Sequence, residues 1–187
     1  MVEWQRATLD EIEPMPWKNG GGQTRQLVAW PQDTEEWTVR VSIADVEQDG
    51  PFSSFDGIRR WFTVLAGDGV RLYDEMDICV GDKLYEFDGG LAPSCTLLGE
   101  KVQDFNVMYR ESDGGELKVS NAQAINSLYA IDARWVGFFT VDGGSLNING
   151  IDSMSVPPMT LVWAENVSVE LTFSSYGSHA AYWMLLE

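Results

Sequence analysis

One histidine, two cysteines and twelve lysines and arginines limit the chemistry open to this chain of 187 residues. A catalytic zinc or iron site draws on several His, Cys or carboxylate ligands. Here His179 stands alone in GSHAAYWMLLE, and Cys79 and Cys95 form no CxxC pair. Nucleophilic catalysis by Ser or Cys would need the same His179, and no GxSxG elbow accompanies it. Neither a metal nor another cofactor is expected, and the cysteines read as free thiols. What remains is anion chemistry. Arginine presents a planar fork of N–H donors that matches a carboxylate. Apart from Lys118 and Arg134, every Lys and Arg lies in the first 110 residues.

The stretch PWKNGGGQTRQ (16–26) sets three glycines beside Lys18, Asn19, Gln23, Thr24 and Arg25. It lacks the GxxxxGK[ST] of a phosphate loop and the GxGxxG of a dinucleotide fold. Two readings stand: a turn whose glycines supply positive φ, or a nest of backbone N–H groups around an anion.

Strands must position these residues. WTVRVSIA (37–44) alternates, with Trp37, Val39, Val41 and Ile43 on one face and Arg40, Ser42 and Ala44 on the other. DFNVMYR (104–110) sets Asp104, Asn106, Met108 and Arg110 opposite Phe105, Val107 and Tyr109. Arg59 and Arg60 point to opposite sides of a third strand, so only one can look inward. Many short runs rich in β-branched and aromatic residues, separated by Gly and Asp turns, predict an all-β sandwich or barrel. Polar residues on an inward strand face can line a ligand pocket; on an outer face they would only be solvated.

The chain also echoes itself. WFTVLAGDGVRLY from Trp61 and FFTVDGGSLNING from Phe138 run in parallel order for about 35 residues, the signature of a duplicated module. This predicts β-units built on Phe62–Leu97 and Phe139–Phe173, joined by RESDGGELKVSNA (110–122). With so few cations, the second unit's interior is expected to be filled by Trp163, Phe139 and similar side chains. The net charge of -17 opposes nucleic acid and anionic membranes, both polyanions. The first residues carry no apolar export core, and a cytoplasmic protein is expected.

PWKNGGGQTRQL, RVSIADVEQDGPFSSFDGIRRWFTVLAG and DFNVMYR, in that order, resemble the HutD/Ves family. The resemblance implies a bicupin of the RmlC-like jelly-roll type, two cupin-like β-barrels packed as one body, with halves at 1–112 and 113–187. It implies a role in histidine utilization, as a non-enzymatic binder of a pathway metabolite that moderates the pathway. The Ves branch is tied loosely to stress response. The expected partner is a small carboxylate such as urocanate or N-formylglutamate, and a homodimer is allowed. The alternative is a metal-free cupin-type isomerase or hydrolase using Asp104, Tyr109 or Lys18 for proton transfer. The family's motif positions add Asn19, Arg25 and Arg60 to the strand-face residues. The expected ligand site is Asn19, Gln23, Arg25, Arg40, Ser42, Arg60, Asp104, Asn106 and Met108, with the glycine run admitting the ligand to the backbone. Asp104 would either orient one arginine or read a ligand N–H.

Overall fold

The computed structural model describes residues 2–32 and 34–187. The chain is almost wholly β, with two single-turn 3-10 helices at Leu9–Glu11 and Glu111–Asp113. It divides into two compact units. One is Ile12–Gly114. The other joins Gly115–Glu187 to the residues up to Glu11, because β1 (Gln5–Thr8) pairs with a strand near the chain's far end. The boundary expected at 112/113 therefore falls two residues later, and the first eleven residues belong with the second unit.

Among the described residues the N-terminal unit holds ten strands: β2 (Met15–Pro16), β3 (Gly22–Trp30), β4 (Val39–Val46), β5 (Gly50–Pro51), β6 (Ile58–Ala66), β7 (Val70–Leu72), β8 (Met76–Ile78), β9 (Tyr85–Asp88), β10 (Ser94–Leu97) and β11 (Val102–Arg110). They form a six-stranded sheet, β2-β3-β4-β11-β6-β9, and a four-stranded one, β5-β10-β7-β8. Between the sheets lies a core in which Val46, Phe62, Val64 and Val102 of the larger sheet meet Val70, Leu72, Ile78 and Cys95 of the smaller. Period-2 alternation therefore sends the Arg40, Asp104 and Arg60 face of the larger sheet into this interior. The opposite face, carrying Val39, Val41, Ile43, Phe105 and Val107, is buried as well.

The C-terminal unit adds β12 (Leu117–Asn121), β13 (Ser127–Thr140), β14 (Gly144–Ile148), β15 (Asp152–Val156), β16 (Thr160–Ser175) and β17 (Ala181–Leu186). Its seven-stranded sheet runs β12-β17-β13-β16-β14-β15, with β1 also on β16. The long β13–β16 ladder shifts register between Ala130 and Ala133. There Asp132 takes φ 50° and its N–H donates to Ser168 Oγ at 2.9 Å. A bulge of this kind bends a strand. The interior is apolar, centred on Phe138, Phe173, Leu146 and Trp183. Phe139 and Trp163, expected to fill it, lie on the opposite strand face. Matching FTV to FTV pairs Phe139 with Phe62, yet the residue that faces inward in the second unit is Phe138. Among the described residues both units are built of open sheets; their strand pairing does not close a barrel.

Candidate functional site

Three neighbouring strands, β4, β11 and β6, lay the inward polar residues out in rows. Arg40, Met108 and Arg60 are directly opposite one another. The next inward row is Ser42, Asn106 and Phe62, and the next is Ala44, Asp104 and Val64. Antiparallel register makes residues of one row side-by-side neighbours. Cationic side chains thus occupy one end of the face and acceptors the other. Ser42, Arg60, Asp104, Asn106 and Met108 are all buried, and Arg40 is half-buried.

Arg60 is enclosed by aromatic rings. Its guanidinium carbon is 5.4, 5.5 and 5.0 Å from the ring centres of Phe52, Phe55 and Phe87. Its NH1 donates to the Ser53 carbonyl at 3.1 Å, while Nε has no partner. Gly89 makes this approach possible: a Cβ there would stand 2.6 Å from the Ile58 carbonyl oxygen and 3.1 Å from Arg60 Cδ. Burial lowers the Arg60 pKa to about 10; Asp104 opposes that shift and Arg40 adds to it. Arg59, next along the strand, points out and pairs with Glu111 at 2.8 Å.

Arg40 is less committed. It makes no salt bridge among the described residues, its Nε is buried without a hydrogen-bond partner, and burial lowers its pKa. At the other end of the face, Asp104 Oδ1 and Asn106 Oδ1 are also buried without partners. Burial pushes the Asp104 carboxyl up to about 7, against the pull of the Arg60 charge and the Ala44 N–H and with the push of Asp45. Buried polar groups are nearly always hydrogen-bonded, so several orphans on one face set it apart from the rest of the interior. Cys95, across the interior on β10, has its thiol pushed up to about 12 by burial, with Asp104 and Asp49 adding to it. A buried thiol so shifted has little thiolate character at neutral pH.

The glycine run contributes differently from the expectation. Asn19 is exposed, and its Oδ1 accepts the Gly21 N–H at 3.0 Å. Gly20 has φ 73°. The Trp17 N–H donates to the Gly22 carbonyl at 2.9 Å, and Gly21's carbonyl takes the N–H groups of Glu47 and Gln48. The stretch is the β2–β3 hairpin turn. A Cβ at Gly22 would stand 2.3 Å from the Asp45 carbonyl oxygen and 3.2 Å from the Trp17 ring, so the backbone approaches protein there.

Gln23 and Arg25 face the other way. Register places them opposite Asp45 and Ile43, on the face away from Arg40. Gln23 Nε2 and Arg25 NH1 both donate to Asp45 Oδ2, at 3.0 and 2.9 Å, and Gln103 Nε2 donates to Oδ1 at 2.9 Å. Burial alone would raise the Asp45 pKa, but these hydrogen bonds and the Arg25 charge outweigh it and hold the carboxylate below its usual range. Of the nine expected site residues, six share the interior face. Asn19, Gln23 and Arg25 are engaged in local structure. Sequence reasoning did not see the rings around Arg60 or the Asp45 hub. The β4 alternation carried the hub's signal, since Asp45 must face opposite to Ala44.

Of the other reactive groups, His179 is exposed with its Nδ1 2.8 Å from Asp142 Oδ1. Lys18 is exposed in the hairpin turn, and the Tyr109 hydroxyl donates to the Gly114 carbonyl at 2.9 Å. No group of three His, Cys, Asp or Glu among the described residues could hold a metal ion. The C-terminal unit has an open cleft of about 320 Å³ near Gln123, Asn126 and Ser178, with no charged lining. No helix among the described residues is long and apolar enough to cross a membrane.

The HutD family model matches residues 9–179. A Pseudomonas putida protein, called an uncharacterized 21.2 kDa protein in the hutC 3' region, is 40% identical over 118 residues, covering 58% of this chain and 60% of that protein. Protein Ves of Citrobacter koseri is 34% identical over 107 residues, covering 54% and 56%. The chain thus spans less than two thirds of the curated relatives it matches. A conserved protein of unknown function from Pseudomonas aeruginosa PAO1 superposes with a TM-score of 0.83 at 25% identity, over 99% of both chains. HutD from Pseudomonas fluorescens SBW25 gives 0.78 at 22%, over 98% of both. A variant of Bacillus subtilis oxalate decarboxylase gives 0.62 at 10%, over all of this chain and 78% of that one. The last two likenesses show the fold alone.

Proposed function

The chain belongs to the HutD family, and from that premise we propose that it is a non-enzymatic binder of a small carboxylate metabolite, held inside the N-terminal unit, that moderates histidine utilization. Arg40 carries this reading. An enclosed charge is costly unless it is paired; Arg40 is half-buried, its Nε is buried without a partner, and it makes no salt bridge among the described residues. Its planar fork suits a bidentate carboxylate. Arg60 lies in the same row and adds positive potential, while its guanidinium is taken up by three rings and the Ser53 carbonyl. The names of the Pseudomonas relatives support the link to the hut genes. The apolar interior of the C-terminal unit supports one site per chain. On this reading the two units are cupin-like jelly rolls, and the protein acts in the cytoplasm.

A second reading rests on Asp104. A buried carboxyl poised at about 7 is suited to general acid–base work, as in a metal-free isomerase or hydrolase. Of the three proton-transfer candidates it is the one that shares the face with both arginines. A thermal-shift screen of histidine-breakdown intermediates, followed by calorimetry on the best of them, tests the binding reading. NMR of that ligand after long incubation separates the two: a binder returns it unchanged. No shift with any carboxylate in the screen would remove the first reading.

A further inference from the structure

The glycine run has a chemical property that a hairpin turn does not call for. Asn-Gly occurs twice in the chain, at Asn19–Gly20 and at Asn149–Gly150. Glycine has no Cβ to shield its nitrogen, so that nitrogen can attack the carboxamide carbon of the asparagine before it. Local geometry then sets the rate, because the two atoms must be brought together. Both asparagines are exposed, and both glycines take positive φ. Their surroundings differ. Asn19 is tied to its own turn: its Oδ1 accepts the Gly21 N–H at 3.0 Å, and a Cβ at Gly21 would stand 3.7 Å from its Cγ. The carboxamide is therefore folded back over the chain that follows it, and the N–H donor polarises its carbonyl. The Gly20 N–H donates to the Trp17 carbonyl at 3.0 Å, one bond of an exposed turn that local fluctuation can open. Asn149 is anchored to β16. Its Oδ1 accepts the Glu170 N–H at 2.8 Å, and its own N–H donates to the Glu170 carbonyl at 2.7 Å. The Gly150 N–H is held by Asn147 Oδ1 at 2.9 Å. There the nucleophile is occupied and its target is fastened to another strand.

We infer that Asn19–Gly20 is a site of spontaneous modification, and that the fold protects the same dipeptide at Asn149. Hydroxide takes the Gly20 amide proton, and the nitrogen attacks Asn19 Cγ. The new C–N bond closes a five-membered imide, while Nδ2 takes a proton from water and leaves as ammonia. Water then opens the imide at either carbonyl, leaving an aspartyl or an isoaspartyl residue at position 19. Either product adds a negative charge. The isoaspartyl form also adds a methylene to the backbone, two residues before the Gly21 carbonyl that holds the Glu47 and Gln48 N–H groups. None of this depends on the ligand reading.

The intact chain, held at 37 °C and pH 8 and sampled over weeks, tests this. Trypsin releases NGGGQTR (19–25), chymotrypsin yields a peptide holding Asn149, and mass spectrometry reads the conversion of each. Conversion at 19 should run about tenfold faster than at 149 and should accelerate with pH, because an amide proton must be lost. In 8 M urea the gap should close, since glycine follows both asparagines. Asn147→Ala should speed conversion at 149 by releasing the Gly150 N–H. Asn19→Gln should stop it at 19, because the longer side chain closes only a slower six-membered ring. Equal rates in the folded chain, or a gap of the same size in urea, would overturn the inference. So would a folded chain that stays intact at 19 while the urea sample converts there.

Discussion

Asp104 and Arg60 look into one interior from adjacent strands, two inward rows apart, and feel each other's charge without forming a salt bridge among the described residues. Burial makes this carboxyl hold its proton to higher pH than usual. Its folded pKa of about 7 lies above the ordinary 3.8. The native state therefore holds a proton between about pH 4 and 7 that the unfolded chain releases. The contribution of Asp104 to stability is full below pH 4 and is lost as pH climbs through 7. Asp104→Asn abolishes this slope. The stability of the wild type relative to the variant should fall by a few kcal/mol from pH 4 to pH 8, with about 4 kcal/mol as the ceiling. Urea unfolding at intervals across that range measures it. Parallel curves would mean that Asp104 is ionised throughout.

Arg40 and Arg60 should separate by assay. On the binding reading proposed above, Arg40→Ala should weaken carboxylate binding about tenfold or more, roughly the 1.5–3 kcal/mol of a charge-assisted hydrogen bond. Folding stability should hold or rise slightly, because a half-buried charge without a salt bridge is gone. Arg40→Lys should also weaken binding, since Lys lacks the fork. Arg60→Ala should instead lower stability by about 2–4 kcal/mol, because three rings lose their cation and the Ser53 carbonyl its donor. Arg71→Ala, on an exposed hairpin paired with Asp77, is the control for both. Calorimetry and thermal melts give the two readouts.

Asp45 tests the assignment of Gln23 and Arg25. Asp45→Ala releases three donors at once and should cost about 1–3 kcal/mol of stability. Ligand affinity should change less than threefold. A tenfold loss would return Gln23 and Arg25 to the binding site.

The glycine run makes a graded prediction. Gly20→Ala meets no atom within 4 Å and suffers only from its φ of 73°, about 1 kcal/mol. Gly22→Ala drives a Cβ into the Asp45 carbonyl and the Trp17 ring and should cost at least twice as much. Equal melting temperatures for the two variants would contradict the hairpin geometry.

The alternation in WTVRVSIA and DFNVMYR put Arg40, Ser42, Asp104, Asn106 and Met108 on one strand face, and the register agrees; a one-residue period error would have turned every polar residue to the opposite face. It also predicted that only one of Arg59 and Arg60 looks inward. The glycine run misled because its polar residues are close in sequence, whereas pairing with β4 sends Gln23 and Arg25 to the far face. Nothing local in PWKNGGGQTRQ reveals that partner strand. The scarcity of cations in the second half predicted an apolar interior there, but composition does not carry a strand's facing, and Phe138 rather than Phe139 lies inside. The rings around Arg60 come from loops and from β9, contacts set by tertiary folding rather than by any period.

The pairing of β1 with β16 has a consequence for synthesis on the ribosome. Thr8 and Thr160 share a hydrogen bond of 3.0 Å across 152 residues of chain. The unit from Ile12 to Gly114 is one uninterrupted segment, so it can fold as soon as it leaves the exit tunnel. β1 must wait, unpaired, until β16, 152 residues further along at Thr8 and Thr160, has been translated. A circular permutant that joins residue 187 to residue 2 and opens the chain between 11 and 12 would make the C-terminal unit contiguous too, and would end that wait.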